Sequence, residues 1–195
     1  MNSHQELELK AVVPDPAVLR RRLADAGATL VFQGLMEDRR YDRNGELTAG
    51  DLVLRTRRLT AVDGSVEMIL GWKGPSRRSP GGYKLREELE YKIEGGASPE
   101  PLLRVLGYSV TYVIDRSIEV YQIAGATLRL ERYPRMDPLL EVEGSPSGIE
   151  VAIQISGIER REFLTDSLTE FVASFERRTG MTALIAGSSI LQWQG

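Results

Sequence analysis

The sequence has no cysteine and a single histidine among its 195 residues. Without cysteine there can be no disulfide framework, no thiolate zinc site and no cysteine nucleophile, and the chain is expected in a reducing cytoplasm. One histidine excludes most nucleophile–base–acid triads. A basic excess is also missing: 25 Lys+Arg stand against 28 Asp+Glu, a formal net charge of −3, so extended binding of duplex nucleic acid is not expected. No apolar run approaches the ~18 residues that span a bilayer, so no membrane association is expected either. Glu6, Glu8 and Lys10 interrupt any secretory apolar core at the start. No linker rich in Pro, Gly or Ser divides the chain, and one domain over 1–195 is expected.

What is present is mostly strand. Period-2 alternation between turn residues predicts strands at 5–13, 29–42, 51–62, 65–74, 83–94, 109–121, 125–133 and 138–144. Eight strands suggest a barrel or a strongly curled sheet. Helices punctuate them. Asp15 is an N-cap candidate with Pro16 behind it and Gly27 at the far end, and Ser98–Pro99 to Gly107 repeats the logic. Ser147 and Glu150 have the spacing of a capping box, and Leu168, Phe171, Val172 and Phe175 form one buried face of a helix over 165–179. The fold class is α+β, an antiparallel eight-stranded barrel with helices packed outside.

Charge falls in rows. Glu6, Glu8 and Lys10 share one strand face opposite Leu7 and Leu9; Arg55 and Arg57 share another; Lys84, Arg86, Glu88, Glu90 and Lys92 lie opposite Leu85, Leu89, Tyr91 and Ile93. Arg129 with Glu131, and Glu141 with Glu143, continue the pattern. Such rows either face solvent or, if the sheet curls inward on them, line a polar lumen. In a lumen the carboxylates repel unless a cation joins them, and the cations repel unless an anion does. A metal ion with a polyphosphate meets both needs.

Glu6-Leu-Glu8-Leu-Lys10 resembles the E-x-E-x-K signature of the CYTH superfamily, the triphosphate tunnel metalloenzymes. Leu54-Arg55-Thr56-Arg57 is similar to its L-R-x-R, Lys73-Gly74-Pro75 to its K-G-P, and Arg86-Glu87-Glu88-Leu89-Glu90 to its R-x-E-x-E. Arg116 falls at its later arginine, and Leu130-Glu131 with Glu141-Val142-Glu143 resembles its closing element, with a helical part expected over 147–180. Tyr41-Asp42 and Gly107-Tyr108 resemble the cyclase-type branch. Two departures stand out: Ile114 and Asp115 replace a usual lysine, removing a cation and adding an acid, and Glu131 replaces an aspartate.

The resemblance implies Glu6, Glu8, Glu141 and Glu143 as ligands of Mg²⁺ or Mn²⁺, hard ions that prefer carboxylate oxygen. Glu88 and Glu131 either extend this metal set or, with Glu90, pair with Arg86 and Arg129. Lys10, Arg55, Arg57, Lys73, Arg86 and Arg116 are the implied triphosphate ligands, with Lys10, Arg57 and Arg116 nearest the chemistry. The apolar neighbours of Arg116 demand a buried anionic partner for it. Gly74 to Gly82, with Arg77 and Arg78, reads as a mobile basic loop, either an ordinary hairpin loop or a lid. The implied activity is hydrolysis of a triphosphate (inorganic, thiamine or nucleoside). Conversion of ATP to cyclic AMP, or polyphosphate binding without catalysis, are the alternatives. A triphosphate-containing small molecule is the expected partner, and a homodimer is allowed.

Overall fold

The computed structural model describes residues 4–187; residues 1–3 and 188–195 lie outside the described residues. Nine strands occupy β1 (His4–Val12), β2 (Thr29–Asp42), β3 (Val53–Ala61), β4 (Val66–Lys73), β5 (Arg77–Arg78), β6 (Lys84–Ile93), β7 (Ser109–Ile123), β8 (Ala126–Arg132) and β9 (Leu139–Gly144). All pairings are antiparallel, in the order β1-β9-β8-β7-β2-β3-β4-β6, and β1 also pairs with β6. That last pairing closes an eight-stranded barrel and leaves no open edge among these strands. β5 is a two-residue addition on β6.

The alternation in β1 has a direct physical outcome. Leu9 and Ala11 point outward into the main apolar core, where α1 (Pro16–Asp25) supplies Leu19 and Leu23 and α4 (Pro146–Ser156) supplies Ile149, Ala152 and Ile153. Strand residues Leu128, Leu130, Leu140 and Val142 complete this layer, so the principal core lies outside the barrel wall. The charged residues of the same strands are thereby turned into the lumen. A second cluster joins Ile114, Tyr133 and Leu139 to Leu168 and Phe171 of α5 (Leu168–Thr179), which packs over one end of the barrel. Short helices α2 (Glu46–Ala49) and α3 (Glu100–Val105) lie in connections.

Caps follow the sequence with two corrections, the first in α3, where Pro99 rather than Ser98 is the N-cap and the Ser98 hydroxyl accepts from Glu100 N at 3.2 Å. Asp15 accepts from the Ala17 and Val18 amides, and Gly27 adopts φ +76 after the helix. In α4, however, the N-cap is Ser145, whose hydroxyl accepts from Gly148 N, and Pro146 then occupies the first helical position. The Ser147–Glu150 capping box is not formed because both residues are already inside the helix. A genuine capping box closes α5, between Ser167 and Glu170, so the predicted 165–179 helix starts at Leu168.

The strand predicted from 51 begins at Val53, because Asp51 takes φ 51 after α2. The predicted basic loop makes specific contacts. Ser76 donates through its amide and hydroxyl to Asp51, Arg77–Arg78 pair with β6, and Arg78 donates to Thr165 Oγ1 at 2.8 Å. These contacts pin the segment between β3 and the entry to α5. Tyr41 faces away from the lumen, bonding Thr56 Oγ1 at 3.2 Å. Asp42 serves α2 as a turn acceptor, taking the Leu47 and Thr48 amides and the Thr48 hydroxyl.

Candidate active site

The lumen encloses a cavity of about 270 Å³ whose walls differ in chemistry. On the β1–β9 side, Glu8 lies opposite Glu143 and Lys10 opposite Glu141 in the strand register. Glu6, Glu8 and Glu141 can each place one carboxylate oxygen within 4.8 Å of the others. Burial, with Glu143, Glu8 and Glu88 close by, pushes the Glu6 carboxyl up to about 9 against the pull of Lys73. Glu143 is raised by burial as well, with Glu141 and Glu8 adding to the effect. Glu8 behaves oppositely: burial is outweighed by Lys10 and Lys84, with Lys84 Nζ 2.5 Å away, and its carboxyl stays ionised. Lys10 is sealed in, yet Glu141 and Glu8 overcome the burial cost and keep it protonated.

The opposite wall, β3–β2–β7, is cationic. Arg55 reaches Glu90 at 2.8 Å and Glu88 at 3.9 Å. Arg57 and Arg116 converge on Asp38, Arg57 Nε at 2.9 Å and Arg116 Nη2 at 2.9 Å. Asp38 is 2% exposed, and although burial favours its neutral form, Arg57, Arg116 and Arg55 hold its carboxyl well below the usual range. Glu131 accepts from Arg129 at 2.8 Å and from the Tyr133 hydroxyl, and forms an ion pair with Arg116 at 3.1 Å. The demand of Arg116 for a buried anion is therefore met twice.

The structure brings all the sequence-predicted residues to the barrel interior or its mouth but separates their surroundings. Glu6, Glu8 and Glu141 form one acidic group, with Glu143 alongside. Glu88 pairs with Lys73 and Arg55, and Glu131 with Arg116, Arg129 and Tyr133, as Glu8 pairs with Lys10 and Lys84, and Glu141 with Lys10 and Arg129. Lys73 also lies 3.5 Å from Glu6. Arg86 spends Nε on Gly74 O and Nη2 on Asp51 O, fixing backbone at the mouth rather than pairing with a glutamate. Asp115 does not enter the lumen: it bonds Arg39 Nη1 on the outer face, while Ile114 turns inward. The expected added acid at that position is thus absent from the cavity. Sequence reasoning missed Asp38, Arg40 and Lys84 as lumen groups with roles. In Glu37-Asp38-Arg39-Arg40 both faces of the strand carry charge, which erases the alternation that marked the other rows.

No protein-family model and no curated protein matches the sequence. Solved structures do match in shape. A candidate adenylate cyclase from Vibrio parahaemolyticus superposes with TM-score 0.72 at 16% identity, covering 88% of this chain and 99% of the other. HpAC1 from Hippeastrum, a candidate adenylyl cyclase described as having a dominant triphosphatase activity, gives TM-score 0.59 at 16% identity over 94% of this chain and 100% of that one. The fold is of the CYTH type. The protein PH1819 from Pyrococcus horikoshii shares the shape as well, with TM-score 0.66 at 22% identity over 87% and 98% of the two chains. Within this CYTH-type barrel, the acidic and cationic walls face one another across a single cavity.

Proposed function

We propose that this chain is a metal-dependent triphosphatase that takes the phosphate chain of its substrate into the barrel. One observation carries the reading: Glu8 and Glu141, two members of a closely spaced carboxylate group, lie across a cavity of about 270 Å³ from Arg55, Arg57 and Arg116. That volume lies just below the ~300–1,000 Å³ of pockets that enclose a whole drug-sized ligand. It supports a compact polyanion as the enclosed part, with any organic remainder outside.

Glu6, Glu8 and Glu141, with Glu143 adjoining, would hold Mg²⁺ or Mn²⁺. The fit rests on their spacing, with one carboxylate oxygen from each of Glu6, Glu8 and Glu141 within 4.8 Å of the others, and on the preference of a hard divalent ion for such oxygens. A hard divalent ion there supplies charge that neutralises phosphate oxygens and polarises a P–O bond. The chain itself does the positioning. Arg55, Arg57 and Arg116 present N–H groups to the anion, while Asp38 and Glu131 fix Arg57 and Arg116 so that little reorganisation is needed on binding. Lys10 adds a point charge that stays protonated through neutral pH. Water attack on the terminal phosphorus releases phosphate and a diphosphate, a reaction that asks for positioning and electrostatics rather than a protein nucleophile.

The likeness to the Vibrio parahaemolyticus protein supports a second reading, cyclisation of ATP with loss of pyrophosphate. Incubation with tripolyphosphate, thiamine triphosphate and ATP, each with Mg²⁺ and Mn²⁺, separates the two. Phosphate release supports the triphosphatase, and cyclic AMP with pyrophosphate supports the cyclase. Tight binding of all three with no product under either metal would leave a polyphosphate-binding module.

A further inference from the structure

We propose that Arg40, acting with Arg55 and Arg116, forms a seat for phosphoryl oxygens on the wall opposite the acidic group, and supplies the cation that Ile114 lacks. The proposal rests on the triphosphate reading above and adds to it a residue outside every sequence motif.

Ion pairing sets Arg40 apart. Arg55, Arg57, Arg86, Arg116 and Arg129 all line the cavity, and each has a carboxylate within 4 Å. Arg40 lines the same cavity and has no ion pair among the described residues. The carboxylate in its field is Asp38, already engaged by Arg57 and Arg116. Burial and the nearby charges of Arg55 and Arg116 all act against its positive charge.

Hydrogen bonding tells the same story. Arg40 Nε, Arg55 Nε and both Nε and Nη1 of Arg116 are sealed from solvent and donate to nothing. A native interior seldom leaves such donors unmet, and four on three neighbouring guanidinium groups fit the oxygens of one polyanion. The fold also orders the side chain. Arg40 lies opposite Arg55 on β3 and Tyr112 on β7, and its guanidinium carbon stands 5.3 Å from the Tyr112 ring centroid. This stacking holds the cation without neutralising it.

Ile114 explains why the charge enters from β2. It is 2% exposed and packs in the cluster formed with Leu168 and Phe171 of α5, where an ammonium group would be stranded. Asp38 faces Ile114 across the β2–β7 ladder, so Arg40, two residues further along β2, is on the adjacent same-face position. A cation there reaches the cavity without entering the apolar seal.

The test uses the full chain, tripolyphosphate with Mg²⁺ as the probe, and the variants Arg40→Gln and Arg40→Lys. Calorimetric titration should show Arg40→Gln binding ~10-fold to ~100-fold more weakly than the parent, with Arg40→Lys between them. Without ligand, Arg40→Gln should melt at or above the parent temperature, because it removes an unpaired cation rather than a salt bridge. Parent-like affinity in Arg40→Gln would overturn the proposal and leave the triphosphate reading standing. So would a ligand-free melting temperature lowered by more than ~5 °C, which would make Arg40 a structural counter-ion. No binding by the parent chain would overturn both.

Discussion

Replacing Asp38 by Asn removes the one carboxylate on which Arg57 and Arg116 converge, at 2.9 Å each, in a site that is 2% exposed. Deleting one partner of a buried ion pair costs ~3–5 kcal/mol, because the remaining charge is left buried. Here the lower end applies. Arg116 keeps Glu131 at 3.1 Å, and Arg57 keeps Glu90 at 3.8 Å, so neither guanidinium is wholly orphaned. At ~2–4 °C per kcal/mol for a chain of this size, a loss of ~3 kcal/mol lowers the melting temperature by ~6–12 °C at pH 7. The pH dependence follows from the depressed Asp38 carboxyl. A depressed carboxyl stabilises the fold above its unfolded value of ~3.9 and loses that contribution as pH falls through the folded value. The gap between parent and Asp38→Asn should be full at pH 6–7 and narrow as pH drops below ~4. Tripolyphosphate, by bringing negative charge to the same arginines, should recover part of the loss. Thermal unfolding followed by circular dichroism reads all three effects. A shift under ~2 °C at pH 7, or a gap that widens on acidification, would refute the assignment of Asp38 as the charge that organises the arginine wall.

Three further outcomes are expected. Glu6→Gln should weaken Mn²⁺ binding at least ~10-fold by calorimetry without lowering the metal-free melting temperature, since it relieves a crowded carboxyl; unchanged affinity would remove Glu6 from the ligand set. Gly34→Ala places a Cβ 2.1 Å from Thr60 O, so β2 and β3 must part, and a loss of ~1–3 kcal/mol or more should appear in denaturant titration; a neutral result would contradict the register of these strands. Ser167→Ala removes the hydroxyl that caps α5, which should cost about 1 kcal/mol, or ~2–4 °C; because Ser167 and Leu168 line the cavity, tripolyphosphate binding should fall with it, and a capped helix of unaltered stability would refute the capping box.

The sequence went far toward the barrel for a specific reason. In β1, β8 and β9 each strand is buried on both sides by different materials, apolar helices outside and paired charges inside, so alternation is easily read. β2 was legible as a strand but not as a source of site residues. Its outer face carries Glu37 and Arg39, which pair with Arg58 and Asp115, and its inner face carries Asp38 and Arg40. With charge on both faces no pattern separates them. The capping of α4 was misplaced for a related reason: Ser145 and Ser147 are both chemically suitable, and only the backbone course selects the first.

By itself the chain determined that eight amphipathic strands exist, which residues share each face, and that carboxylates and cations gather on one face of β1, β3, β6 and β9. Those are consequences of period-2 geometry and need no knowledge of neighbours. Which cations stand against each carboxylate was decided by tertiary structure. Pairing of β1 with β9 sets Glu8 beside Glu143, closure of β1 on β6 brings Lys84 to Glu8, and the β2–β3 and β2–β7 registers deliver Asp38 to Arg57 and Arg116. Charges interact through space at a few ångströms, so their roles are fixed only when the ladder brings strands from distant parts of the chain into register.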